Sequence, residues 1–105
     1  MIKTGDKGEK IAKEYLIEHD YQILETNYRY KKTEIDIIAK IDNLLVFIEV
    51  KTRKNKSFGN PEEFVSERQK ELILTGAEEY LYINSFDQIR FDIISIILKK
   101  NFLSI

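Results

Sequence analysis

Over residues 6–19 apolar side chains recur at spacings of three and four, with Ile11, Ala12, Tyr15 and Leu16 forming one stripe. That spacing predicts a first helix. Asp6 is a candidate N-cap, and Glu9 three residues on completes a capping-box pattern. Glu9 also keeps helical spacing with Ala12 and Leu16, so it could instead border the buried face and point into a site. His19-Asp20 ends the helix. Residues 21–28 read as a first extended segment anchored on Ile23 and Leu24, and residues 33–39 as the next strand. Ile41-Asp42-Asn43 is a tight turn. Residues 44–52 carry continuous apolar content around Val46, Phe47, Ile48 and Val50, the pattern of a central strand covered on both faces.

Residues 54–59 are rich in Lys, Asn, Ser and Gly and predict a loop. Asn60 then caps a second helix, with Pro61 at N1 and Glu63 at N3. This helix is expected to reach Leu81, with Val65, Leu72, Ile73, Ala77, Tyr80 and Leu81 inward. Gly76 weakens its interior or permits close packing on the sheet. Asn84 and Ser85 end it, and residues 88–97 form a last strand. The tail, residues 98–105, keeps Leu98, Phe102, Leu103 and Ile105, which could pack on the domain or a partner. Helix, strands, a long crossover helix and a further strand predict an α/β sandwich with a mixed sheet, one domain over residues 1–105.

Charge sits inside two of these strands. Glu34 and Asp36 alternate with apolar residues in the first, and Glu49 and Lys51 in the second. Charges in apolar runs are ordinarily paired, wet or bound to an ion. Asp36 and Glu49, on neighbouring strands, are candidate ligands for Mg2+, with Mn2+ as an alternative. Glu9 or Glu34 could add a further contact. Lys51 follows Glu49 by two residues, about 6.6 Å along the same strand face, where its ammonium could steady an anionic transition state. The plainer reading of Glu49 and Lys51 is a solvated edge-strand pair.

Overall charge is −1, which by itself says nothing about nucleic acid. Its distribution says more. Residues 27–59 hold eight Lys/Arg and four Asp/Glu, a net +4, against nine and fourteen elsewhere, a net −5. Such a segment can attract a polyanion. Arg53, Lys54 and Lys56 could hold phosphate backbone without reading bases. Gln69 borders the buried side of the second helix and could order the lysine, a water or a phosphate, or bond a loop carbonyl. Arg90 and Asp92 share a strand face, and a local ion pair is the simpler expectation. Tyr21, Tyr28 and Tyr30 could stack on bases or simply line the core. His19 is read as a helix-end residue. No cysteine is present, which excludes disulfides and thiolate metal sites. No apolar run is long enough to cross a membrane and no apolar signal core opens the chain, so a cytoplasmic protein without membrane partners is expected.

Taken in order, these motifs resemble the YraN-like (UPF0102) bacterial family over nearly the whole chain. The matching segments are Gly5-Asp-Lys-Gly8-Glu9, Glu34-Ile-Asp36-Ile-Ile-Ala39, Val46-Phe-Ile-Glu49-Val-Lys51-Thr-Arg53, Phe58-Gly59 and Arg90-Phe-Asp92. That family is similar to the restriction-endonuclease-like superfamily, particularly archaeal Holliday-junction resolvases. The resemblance implies a central mixed sheet flanked by helices and a Mg2+-dependent endonuclease acting on DNA, with branched DNA as one substrate class. Asp36 and Glu49 would be its metal ligands, Lys51 its catalytic lysine, Glu9 a completing acid and Gln69 a catalytic-helix glutamine. Glu34, Arg90 and Asp92 match supporting positions. A homodimer is implied by the same likeness. Two positions depart from the family: Thr33 stands where glycine is frequent, and Arg68, a candidate phosphate contact, where lysine is common. The competing expectation is a non-catalytic nucleic-acid-binding or protein-interaction module on the same fold.

Overall fold

The computed structural model describes residues 4–53 and 67–97. In chain order its elements are helix α1 (Thr4–Glu18), strands β1 (Gln22–Tyr30), β2 (Thr33–Ile41) and β3 (Leu44–Arg53), helix α2 (Glu67–Ile83) and strand β4 (Gln88–Ile97). The four strands form one sheet in the order β1-β2-β3-β4. β1, β2 and β3 run antiparallel in sequence, and β4 returns parallel to β3. The result is the expected α/β sandwich, a mixed sheet with a helix on each face. The expected loop at residues 54–59, the Asn60 cap, Val65 and the tail at residues 98–105 lie outside the described residues.

Alternation of apolar residues builds two cores. On one face Ile35, Ile38, Leu45 and Phe47 pack with Ile73, Ala77 and Tyr80 of α2. On the other Ile37, Ala39, Val46 and Ile48 pack with Ala12 and Leu16 of α1. β3 is therefore the expected central strand, buried from Leu45 through Ile48. The helices divide the sheet unequally. α2 lies over β2 and β1, whereas α1 lies chiefly over β3 and also touches β1 and β4. Among the described residues the β4 side of the α2 face holds an apolar hollow of about 320 Å3 walled by Phe47, Ile73, Leu74, Ile89 and Phe91.

Both helices approach the sheet through glycine. A Cβ on Gly8 would sit 1.9 Å from Thr52 Oγ1, and one on Gly76 3.0 Å from Thr33 Cγ2. Close packing is therefore the reason for Gly76. Two details of α1 differ from the sequence expectation. The helix starts at Thr4, which puts Asp6 inside its first turn and not at the cap. Ile11 and Tyr15 are exposed, because the packed stripe is Gly8, Ala12 and Leu16. α1 closes as expected at His19-Asp20. Asp20 is left-handed (φ 72°), and the Tyr21 N–H reaches back to Leu16 O at 2.9 Å. The His19 ring donates from Nδ1 to Tyr15 O at 2.8 Å. α2 runs two residues past Leu81, and Asn84 ends it by donating twice to Tyr80 O.

A forked sheet and its candidate functional site

The sheet splits at one end. Pairing between β2 and β3 ends at Ile37↔Ile48. Beyond that point β1 and β2 stay paired to Tyr30↔Thr33, and β3 and β4 stay paired to Arg53↔Ile97. Two ribbons thus diverge from a shared root. The cause is visible at Asp36. Strict alternation would put Ile35 and Ile37 on one face, yet Ile35 joins the α2 core and Ile37 the α1 core. The strand twists between them. Opposite, Asn27 is left-handed (φ 53°) between the pairs Thr26↔Ile37 and Tyr28↔Ile35, and the register shift of this ribbon lies earlier in β1, between Ile23 and Glu25. Asn tolerates this conformation better than most residues.

Each ribbon is fastened to its own helix. Thr33 Oγ1 donates to Leu72 O at 2.6 Å, and the Tyr28 hydroxyl donates to Glu79, tying the β1–β2 ribbon to α2. Thr33 is buried, so a β-branched strand residue replaces any glycine turn at this point. The β3–β4 ribbon is held on α1 by the Gly8–Thr52 contact.

In the crotch of the fork lie Asp36 and Glu49. Asp36 Oδ2 accepts the Val50 backbone N–H at 2.8 Å, so a side chain satisfies a donor near the point where the ladder ends. Glu49 Oε2 accepts from Gln69 Nε2 of α2 at 3.2 Å and lies 3.9 Å from Lys51 Nζ. The side chains of Lys51 and Glu49 are only 18% and 16% exposed, unlike a loose surface ion pair. Gln69 thus reaches the acid beside Lys51, a contact that its spacing on the helix did not predict.

Both acids are held above their ordinary range. Burial is the main cause for Asp36. The Val50 N–H opposes it, the Glu34 charge adds to it, and Lys51 offsets it. Burial and then the Asp36 charge push Glu49 up to about 7, with Lys51 pulling the other way and Glu34 and Glu9 adding smaller upward shifts. Glu9 on α1, the helix that packs on β3, thus acts on Glu49 through its charge. These mutual effects join Glu9, Glu34, Asp36, Glu49 and Lys51 in one electrostatic cluster. Among the described residues no group of three or more His, Cys, Asp or Glu side chains is arranged to hold a metal ion.

Other sequence candidates fall elsewhere. Glu34 pairs with Arg29 at 3.6 Å on the β1–β2 ribbon. Arg53 Nη1 folds back to Thr52 O at 2.9 Å. Arg68 is exposed on α2. Arg90 grips Asp92 through contacts of 2.8 to 3.1 Å and donates to the Tyr21 hydroxyl at 3.0 Å, so it fastens β4 to the start of β1. Lys54 and Lys56 lie outside the described residues. Pattern reading of the chain did not anticipate the part played by Val50, whose backbone and not its side chain reaches Asp36. No helix among the described residues is long and apolar enough to cross a membrane.

The mixed sheet flanked by helices, with an acid pair and a lysine where the strands part, defines a restriction-endonuclease-like α/β domain. Comparison with known proteins gives the family. Residues 8–96 match the model described as "Uncharacterised protein family UPF0102", and the chain belongs to that family. A UPF0102 protein of Christiangramia forsetii is 48% identical over 99 residues, covering 93% of this chain and 83% of its own. One from Clostridioides difficile is 46% identical over 98 residues, covering 91% and 86%. One from Flavobacterium psychrophilum is 45% identical over 93 residues, covering 88% and 78%.

Proposed function

We propose that this protein is a divalent-metal-dependent nuclease that hydrolyses phosphodiesters of DNA, with branched or otherwise structured DNA as its substrate class. The observation that carries the reading is the enclosed pair Asp36 and Glu49, each raised by burial, with Lys51 Nζ 3.9 Å from Glu49. Two partly buried carboxylates in one another's field favour a cation between them. Hard oxygen donors suit Mg2+ or Mn2+, and Mg2+ commonly takes one or two protein carboxylates, completing its shell with water and phosphate. Asp36 and Glu49 would hold that ion, which when bound lowers the pKa of a coordinated water and neutralises phosphate charge.

The remaining work falls to the chain itself. Lys51 offers ammonium N–H donors to the phosphate oxygens as negative charge builds on them. Gln69 fixes the rotamer of Glu49 through its amide. The Val50 N–H fixes Asp36. Water oxygen bonds to phosphorus, the bond from phosphorus to the leaving sugar oxygen breaks, and that oxygen takes a proton.

Calorimetric titration of Mg2+ and Mn2+ tests this, with wild type and the Asp36→Asn/Glu49→Gln variant, each with and without a short branched DNA. Saturable ion binding that the folded variant loses, together with metal-dependent cleavage lost in Lys51→Ala, is the expected result. Salt-sensitive DNA binding without cleavage or ion binding would replace the enzyme by a non-catalytic binding module.

A further inference from the structure

The two hairpin turns of this sheet have the same backbone form and opposite chemistry. Ile41↔Leu44 closes around Asp42-Asn43, and Tyr30↔Thr33 closes around Lys31-Lys32. Both turns put their first residue in the left-handed region, Asp42 at φ 53° and Lys31 at φ 57°. Asp and Asn suit that conformation, whereas lysine has no local hydrogen bond to offset its strain. The turn whose first residue would most easily be Gly, Asn or Asp carries two lysines instead, and it is the one at the fork.

Its surroundings add charge. Arg29 stands on the same ribbon, and its 3.6 Å pair with Glu34 is open, at 74% and 38% side-chain exposure. Such a pair contributes little and is readily exchanged for phosphate. Lys31 and Lys32 are exposed and make no ion pair among the described residues. Lys31 Nζ lies 5.3 Å from the centroid of the Tyr30 ring, which steadies the ammonium without neutralising it. The tip is also anchored, since Thr33 next to it bonds α2. A fixed, unneutralised cationic tip is what backbone-phosphate contact requires.

We propose that the β1–β2 tip, Arg29, Lys31 and Lys32, is a contact for the phosphodiester backbone of a nucleic acid that lies along the mouth of the fork. The tip ends the β1–β2 arm and Lys51 stands on the β3–β4 arm, so Asp36 and Glu49 lie at the crotch between two arms that each carry positive charge. Lys32 is four residues from Asp36, about 13 Å along the strand. This inference rests on the nuclease reading for its choice of polyanion.

The test measures binding of a fluorescent DNA duplex by anisotropy in chelator, where no cleavage occurs, between about 50 and 200 mM salt. Lys31→Gln/Lys32→Gln is expected to weaken binding about tenfold and to reduce the slope of log affinity against log salt by about 1.8. Lys31→Arg/Lys32→Arg, which keeps the charge, should bind as wild type does. Lys40→Gln, toward the other end of the sheet, should change affinity less than twofold. Thermal melts of each variant establish that it is folded. Unchanged affinity in the Gln pair, or an equal loss in Lys40→Gln, would overturn the tip contact while leaving a nuclease that holds DNA elsewhere. Wild type that binds no DNA even at the lowest salt would overturn both.

Discussion

Asp36 Oδ2 accepts the backbone N–H of Val50 at 2.8 Å, close to the point where the β2–β3 ladder stops. One carboxylate oxygen therefore satisfies the fork while the group stays half-buried beside Glu49. Structure and chemistry meet in a single side chain, and substitutions can separate them.

Asp36→Asn retains a carbonyl oxygen for Val50 and removes the charge. Its melting temperature is expected to stay near that of wild type while ion binding is lost. Asp36→Ala leaves the Val50 N–H without its partner and should cost about 1–3 kcal/mol by denaturant unfolding. Equal stability of the two variants would mean that the bond does not hold the fork.

Glu49 is raised by burial and by the Asp36 charge to about 7. The unfolded chain releases this proton near 4.5, so the folded form binds the proton more tightly. Its stabilising contribution is present below that pH and is lost as pH rises through about 7. In chelator at about pH 8, Glu49→Gln should therefore raise the melting temperature, and at about pH 5 it should change it little. A variant less stable than wild type at the higher pH would contradict the strained-carboxylate account. Added Mg2+ should stabilise wild type at the higher pH and leave the variant less affected.

Gly8 faces Thr52 with no room for a methyl group. Gly8→Ala is expected to lose about 1–3 kcal/mol through overpacking. Thr52→Ala removes the nearest contact, so the double variant should recover part of the loss. Additive losses in a double-mutant cycle would show that α1 does not bear on β3 at this point.

Tyr28 donates to Glu79, and that bond to its protonated form pushes the phenol up to about 12. The proton is bound more tightly in the folded chain, so the contribution is complete below about pH 10 and fades toward about pH 12. Spectroscopic titration should show a late tyrosinate component in wild type that Tyr28→Phe and Glu79→Gln both remove. Its persistence in Tyr28→Phe would place the late proton on another tyrosine.

Much of this molecule is local and was legible as such. The apolar runs over residues 44–52 and 88–97 marked β3 and β4 to within a residue, because a buried strand leaves a short apolar run that depends only on near neighbours. The charged positions inside residues 33–39 and 44–52 singled out Asp36, Glu49 and Lys51, since charge in an apolar strand needs a reason. Ile11 and Tyr15 misled, because apolar spacing is blind to a helix that approaches through glycine, as α1 does at Gly8.

The sequence by itself determined the elements and the residue types that carry charge into the strands. Only the tertiary structure decided that β4 runs parallel on the far side of β3, that the ladder stops at Ile37↔Ile48, and that the sheet opens into two ribbons there. It alone brought Val50 to Asp36, 14 residues apart, and Gln69 to Glu49, 20 residues apart. The physical reason is range. Helix and strand periods are written by neighbours along the chain, whereas a fork in a sheet depends on which of two helices each ribbon buries itself against.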